Sequence, residues 1–203
     1  TIHIVDLAMP SISGTINDSS AIIQLFEKSD DKFIVKDVTE AKMGVFNFKY
    51  INKGTYIIKA IPATGNTNHV PTYYVSTTNW EEASSINLLG KASGIDISFI
   101  DIIPTLNGDN TISGNIQIND SSFMFNDVYK SFKTLQLPIV VKQNGNIIAY
   151  AMTDIDGNYT ISNLPDGEYS IAVDLPGNKS SDQKIAVKNG SNETINFTVK
   201  NGT

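Results

Sequence analysis

Thr153-Asp154-Ile155-Asp156-Gly157-Asn158-Tyr159-Thr160-Ile161-Ser162-Asn163-Leu164-Pro165-Asp166-Gly167-Glu168-Tyr169-Ser170-Ile171 is the stretch that decides the fold. Asp154 and Asp156 are able to fold back on their own backbone in a turn, and Gly157 supplies the positive φ that such a turn needs. Tyr159 and Ile161 then fall on one face of an alternating strand. Leu164-Pro165-Asp166-Gly167 makes the next turn, with proline ahead of it and glycine where φ turns positive. Tyr169 and Ile171 return to a core in a second strand, so the stretch reads as strand, turn, strand with one apolar face.

Working outward, the same wording occurs earlier in the chain. Gly157-Asn158-Tyr159 and Gly167-Glu168-Tyr169 have counterparts in Gly44-Val45-Phe46 and Gly54-Thr55-Tyr56, and Ile112-Ser113-Gly114 has one in Ile12-Ser13-Gly14. A period near 100 residues is too long for a solenoid unit and suits an independently folding β-sandwich, so the 203 residues read as a tandem pair. The offset is 100 residues at Ile12 and Ile112 but 113 at Gly44 and Gly157 and at Tyr56 and Tyr169. The second copy therefore carries an early insertion, placed within Phe123 to Gln136, and the first copy a longer late loop between Ala63 and Ser84.

In the first copy, strands are expected at Ser11 to Ile16, Ala21 to Glu27, Phe33 to Val38, Val45 to Tyr50, Gly54 to Ile61, Ser85 to Leu89 and Gly94 to Ile100. The second gives Thr111 to Ile118, Ile139 to Gln143, Asn146 to Asp154, Asn158 to Ser162, Gly167 to Asp174, Gln183 to Val187 and Glu193 to Val199. Turn residues bound each run, and Asn144-Gly145 between two apolar runs is a strong hairpin signal. The expected fold is all-β: two tandem seven-stranded transthyretin-like or immunoglobulin-like β-sandwiches, residues 1–104 and 105–203. Residues 1–9 read equally well as a linker or strand of a preceding module and as an edge strand of the first. Pro104, Gly108 and the asparagines between them make the junction a short hinge.

Composition narrows the function. The net charge of −6 offers no basic surface for nucleic acid, and all fifteen cationic residues are lysine, which lacks the planar fork that binds phosphate in bidentate fashion. Without cysteine there is no disulfide, thiol nucleophile or thiolate metal site. No apolar run approaches the roughly 20 residues that span a bilayer. The chain begins at Thr1 with no signal peptide, which suggests a piece of something longer. Richness in lysine, asparagine and isoleucine points to an AT-rich bacterial source.

The Thr153–Ile171 stretch resembles the signature of carboxypeptidase-regulatory-like domains, the transthyretin-like sandwiches similar to the B-type repeats of bacterial surface adhesins. The resemblance covers the second copy well and the first more loosely, through Gly44-Val45-Phe46-Asn47-Phe48 and Lys53-Gly54-Thr55-Tyr56. There Glu40 and Lys42 replace the aspartate pair, and the Leu-Pro before the turn is missing. The resemblance implies a secreted or cell-surface setting and no catalytic residues. Related repeats sometimes carry a Lys–Asn isopeptide bond from a lysine on the first strand. Neither Ser11–Ile16 nor Thr111–Ile118 holds a lysine, so no such bond is expected.

Two groups of residues are candidate sites. Asp154, Asp156 and Asn158 have the alternate spacing that opens a calcium loop, but the closing glutamate is absent and an ordinary Asp/Gly turn explains the same letters. Asp101, Asp109 and Asp127 near the junction are a weaker calcium candidate; no cofactor is otherwise expected. The long loop brings His69, Tyr73, Tyr74 and the single Trp80 beside asparagine, threonine and glutamate, the makings of a sugar-binding platform; the competing reading has the same rings pin the loop to its sandwich. His3 and His69 have no nucleophile patterned around them, so no enzyme is expected.

The function expected is that of a non-catalytic spacer and adhesion segment of a secreted or surface bacterial protein. Its modules would be about 35–45 Å long, and its partners the neighbouring modules of a monomeric chain. The alternative is a carbohydrate-binding accessory of a polysaccharide-active enzyme, with polysaccharide or surface glycan as partner. Neither reading involves nucleic acid or membrane insertion.

Overall fold

A computed structural model describes residues 9–30, 32–63, 68–102, 106–118, 137–178 and 182–199. The Thr1–Leu7 segment, His3, the Gly65-Asn66 turn, the boundary at Pro104 and Thr105, the Phe123–Gln136 insertion and Asp127 lie outside the described residues.

In the first copy the strands are β1 (Ser11–Thr15), β2 (Ser20–Ser29), β3 (Lys32–Lys42), β4 (Val45–Lys49), β5 (Gly54–Pro62), β6 (His69–Val70), β7 (Thr72–Tyr73), β8 (Ile86–Leu88), β9 (Lys91–Ala92) and β10 (Ile100–Asp101). In the second they are β11 (Asn110–Ile118), β12 (Pro138–Gln143), β13 (Asn146–Met152), β14 (Asn158–Leu164), β15 (Gly167–Val173), β16 (Gln183–Val187), β17 (Asn192–Thr194) and β18 (Phe197–Val199). The protein is all-β. In the second copy one sheet runs β13-β12-β15-β16, and the other centres on β11, flanked by β14 and by β17 and β18. The first copy repeats this as β3-β2-β5-β8 and β4-β1-β9, but its long β3 turns into β4 through Met43-Gly44, which joins the halves into one sheet path. Met43 (φ 50°) and Gly44 (φ 77°) are both left-handed, as are Asn144 (φ 51°) and Gly145 (φ 83°), so each pair makes the two-residue turn whose twist matches its flanking strands.

The words shared by the two copies are devices of the scaffold. At Ile-Ser-Gly a later segment of each copy crosses close over its first strand. A β-carbon on Gly14 would lie 1.8 Å from the Ile95 carbonyl oxygen, and one on Gly114 would lie 1.7 Å from that of Ile195. Beyond each glycine a side chain replaces a ladder bond: the Thr15 amide donates to Asp96 Oδ1 (3.2 Å) and the Asn115 amide to Asn196 Oδ1 (2.8 Å). That substitution is why the expected strand at Gly94–Ile100 is in fact a bridge at Ile97 followed by β10.

At Gly-x-Tyr the hydroxyl turns back on the preceding loop. Tyr56 donates to the Asn52 carbonyl and Tyr169 to that of Pro165, both at 2.8 Å, the corner arrangement known from sandwich folds. Gly54 and Gly167 leave room for the rings, since a β-carbon at either would meet the tyrosine at 3.3 Å; Gly167 is not left-handed as expected, and Asn163 (φ 62°) ahead of the turn is. Tyr169→Phe is expected to cost about 1 kcal/mol, the usual net worth of one hydrogen bond, read as a lower thermal midpoint.

Burial holds the phenols of Tyr56 and Tyr159 up at about 12, with the Glu27 charge adding to the rise at Tyr56. Tyr169 is raised by burial and then by Asp166. A raised folded pKa means that the stability contribution is complete below the unfolded value near 10 and is lost as pH climbs through 12. The thermal midpoint should therefore be flat from pH 8 to 10 and fall steeply between 10 and 12.

Candidate functional site

The strand β5 differs from its counterpart β15 in a way that organises the molecule. β15 alternates buried with partly exposed residues, as expected of a sheet with one solvated face, whereas β5 is buried at every position from Tyr56 to Pro62. Tyr56, Ile58 and Ala60 point into the first sandwich core. Ile57 instead joins Phe26, Phe33, Val35 and Tyr73 in one contiguous apolar cluster with Leu137, Val173 and Leu175 of the second copy. The outer face of the first copy's sheet is thus a seam against the second. Two modules joined by a short hinge were expected; the structure shows them docked face to face, because this face is too apolar to be left in water.

Strand register sets one polar row in the middle of that face. Val38 lies opposite Gln24, Gln24 opposite Lys59, and Lys59 opposite Tyr73. Lys59 and Tyr73 are 0% exposed and Gln24 is 5% exposed. Asp174 arrives from the second copy, 8% exposed, on the Asp174-Leu175-Pro176-Gly177 loop, which an Asp174 amide bond to the Pro138 carbonyl anchors. Lys59 Nζ lies 2.7 Å from Asp174 Oδ2 and donates to the Asp174 carbonyl at 2.6 Å. Tyr73 Oη donates to Asp174 Oδ1 at 2.7 Å, and its ring centroid is 5.1 Å from the ammonium. Burial pushes the Lys59 ammonium below its usual range, opposed by Asp174, and holds the Tyr73 phenol well above its own. Buried charge is costly unless paired, and here both carboxylate oxygens have donors.

The residues marked as a sugar platform do not share one open face. Tyr73 belongs to the seam, while Tyr74 packs against the first core. Trp80, on a single 3-10 turn capped by Asn79, meets Phe33 edge-on with centroids 5.3 Å apart, also against the seam cluster. His69 stacks on Phe99 at 5.2 Å, with Asp18 Oδ2 3.4 Å from Nδ1 and Asp101 Oδ1 3.0 Å from Nε2. The loop expected between Ala63 and Ser84 is therefore partly structured: β7 extends the β5 edge and β6 pairs with β10.

At the other candidate, Asp154 is occupied by its own turn. Its Oδ1 accepts from the Asp156 and Asn158 amides, its Oδ2 from the Asn158 side chain, and these bonds hold the carboxyl below its usual range. Asp109 is exposed. Among the described residues no group of three His, Cys, Asp or Glu side chains is placed to hold a metal ion.

The turn at Asp154–Gly157, the strands β14 and β15, one in each sheet, and the Tyr169 corner together form a recognisable unit. Residues 138–200 match the carboxypeptidase regulatory-like domain. This regulatory-like region covers β12 to β18, and the first copy carries the same glycine and tyrosine devices in looser form. No curated protein matches the sequence. Among solved structures, the Bacillus anthracis TIE protein is 15% identical with a TM-score of 0.31, the match covering 94% of this chain and 34% of that one. The chain thus spans about a third of that protein. A minor pilin of Streptococcus agalactiae is 12% identical over 95% of this chain and 96% of its own (TM-score 0.31). The major pilin subunit of Bacillus cereus is 10% identical over 95% and 99% (TM-score 0.34).

Sequence reasoning singled out neither Lys59 nor Asp174. A signal for the seam is present in Gly54–Pro62, where Tyr56-Ile57-Ile58 and Ala60-Ile61-Pro62 place apolar residues on both faces in place of the alternation that Gly167–Val173 keeps.

Proposed function

We propose that this chain is a non-catalytic structural segment of a secreted or cell-surface bacterial protein, a rigid two-module spacer that contributes to adhesion by holding neighbouring parts of its chain at a set distance and angle. The seam carries this reading: the apolar residues of the β2-β3-β5 outer face and the buried Lys59–Asp174 pair turn two sandwiches into one body. The regulatory-like match and the acidic, cysteine-free composition support the setting.

Amide 15N relaxation of the intact chain tests it. The residues of β1–β10 and β11–β18 should report one shared rotational correlation time. Two shorter, independent values would contradict the proposal.

A further inference from the structure

Apolar contact is non-directional, so Phe26, Phe33, Val35 and Ile57 hold the second module against the first without strongly preferring one rotation. The polar trio behaves differently. Lys59, Tyr73 and Asp174 are joined by contacts of 2.6–2.7 Å that span the seam, and all are buried. A slide or rotation that parted them while the seam stayed closed would strand an ammonium, a carboxylate and a phenol in an apolar seam with neither partner nor water. The donor geometry is equally restrictive. Asp174 uses Oδ2 and its own carbonyl toward Lys59 and Oδ1 toward Tyr73, so side chain and backbone of one residue are read at once.

We infer that Lys59, Tyr73 and Asp174 form a registration latch that selects one angle between the modules, while the surrounding apolar residues supply the adhesion. This rests on the rigid-spacer reading. It goes further by assigning the angle to three residues, and it gives the row Gln24-Lys59-Tyr73 the task of rejecting other docked orientations of the same apolar face.

Because the chain has no cysteine, Lys91→Cys and Lys184→Cys on exposed strand positions accept one spin label in each module. The distance distribution is then measured by pulsed electron spin resonance. The parent background should give one narrow peak. The double replacement Lys59→Met with Asp174→Leu fills the same space without charge. It should stay folded and melt close to the parent, yet at least double the width of the distribution.

An unchanged width in that folded variant overturns the latch, because apolar packing would then set the angle alone. A broad distribution already in the parent background overturns the rigid-spacer reading itself. If the double variant does not fold, Tyr73→Phe decides: it removes one bond to Asp174 and keeps the ring, so broadening supports the latch and an unchanged peak overturns it.

Discussion

Lys59→Met, with Asp174 left in place, is expected to lower the unfolding free energy by about 3–5 kcal/mol, the range for removing one member of a buried ion pair. Methionine nearly matches the lysine stem in volume, so little packing is lost. What remains is a carboxylate held in an apolar seam with only the Tyr73 hydroxyl and its own loop for company. Urea unfolding at neutral pH measures the loss. Adding Asp174→Leu should recover most of it, since removing both charges removes the need for either. Lys36→Met is the matched control: Lys36 pairs with Glu27 at 2.8 Å, but both side chains are more than a fifth exposed, and the expected change is at most about 1 kcal/mol. Equal costs at the two lysines would mean that the seam is wet.

Gly114→Ala is expected to be comparably damaging for a different reason, at roughly 3 kcal/mol. The glycine is not left-handed, so the added methyl meets no backbone strain; it meets the Ile195 carbonyl oxygen, at a separation no carbon can occupy. The last strand must move off β11, with loss of the Ile195 amide bond to the Ser113 carbonyl (2.8 Å) and the Asn196 bond to the Asn115 amide. For a module of this size the thermal midpoint should fall by about 10–20 °C. Gly145→Ala separates space from conformation: its φ is +83° with nothing within 4 Å, so only the left-handed penalty of about 1–2 kcal/mol applies.

The sandwich was legible in the sequence because its determinants are local. Alternation from Asn158 and from Gly167, the Asn144-Gly145 turn and the repeated Gly-x-Tyr each specify geometry within a few residues; both strands begin where the spacing placed them, β14 running on to Leu164 and β15 ending at Val173. The role of Gly14 and Gly114 was visible as repetition but not as chemistry, since the carbonyl each one admits comes from 81 residues further along the chain. The seam was harder to see. Lys59 within an apolar run reads as a solvated charge unless Asp174, 115 positions away, is known to face it. Tyr73 and Trp80 read equally as a platform or as pins for their loop, because aromatic letters do not reveal which side they bury. The unbroken burial of β5 against the alternation of β15 is the one feature that distinguishes a covered sheet face from a wet one, and it emerges only when the two copies are compared.

Amine labelling of the native chain followed by peptide mass spectrometry tests the docked seam most directly. Lys59 should remain unmodified until the protein is globally unfolded, while exposed Lys53 and Lys91 react at once. Labelling of Lys59 at the rate of Lys53 under native conditions would show that the modules part freely, and would contradict the rigid two-module account.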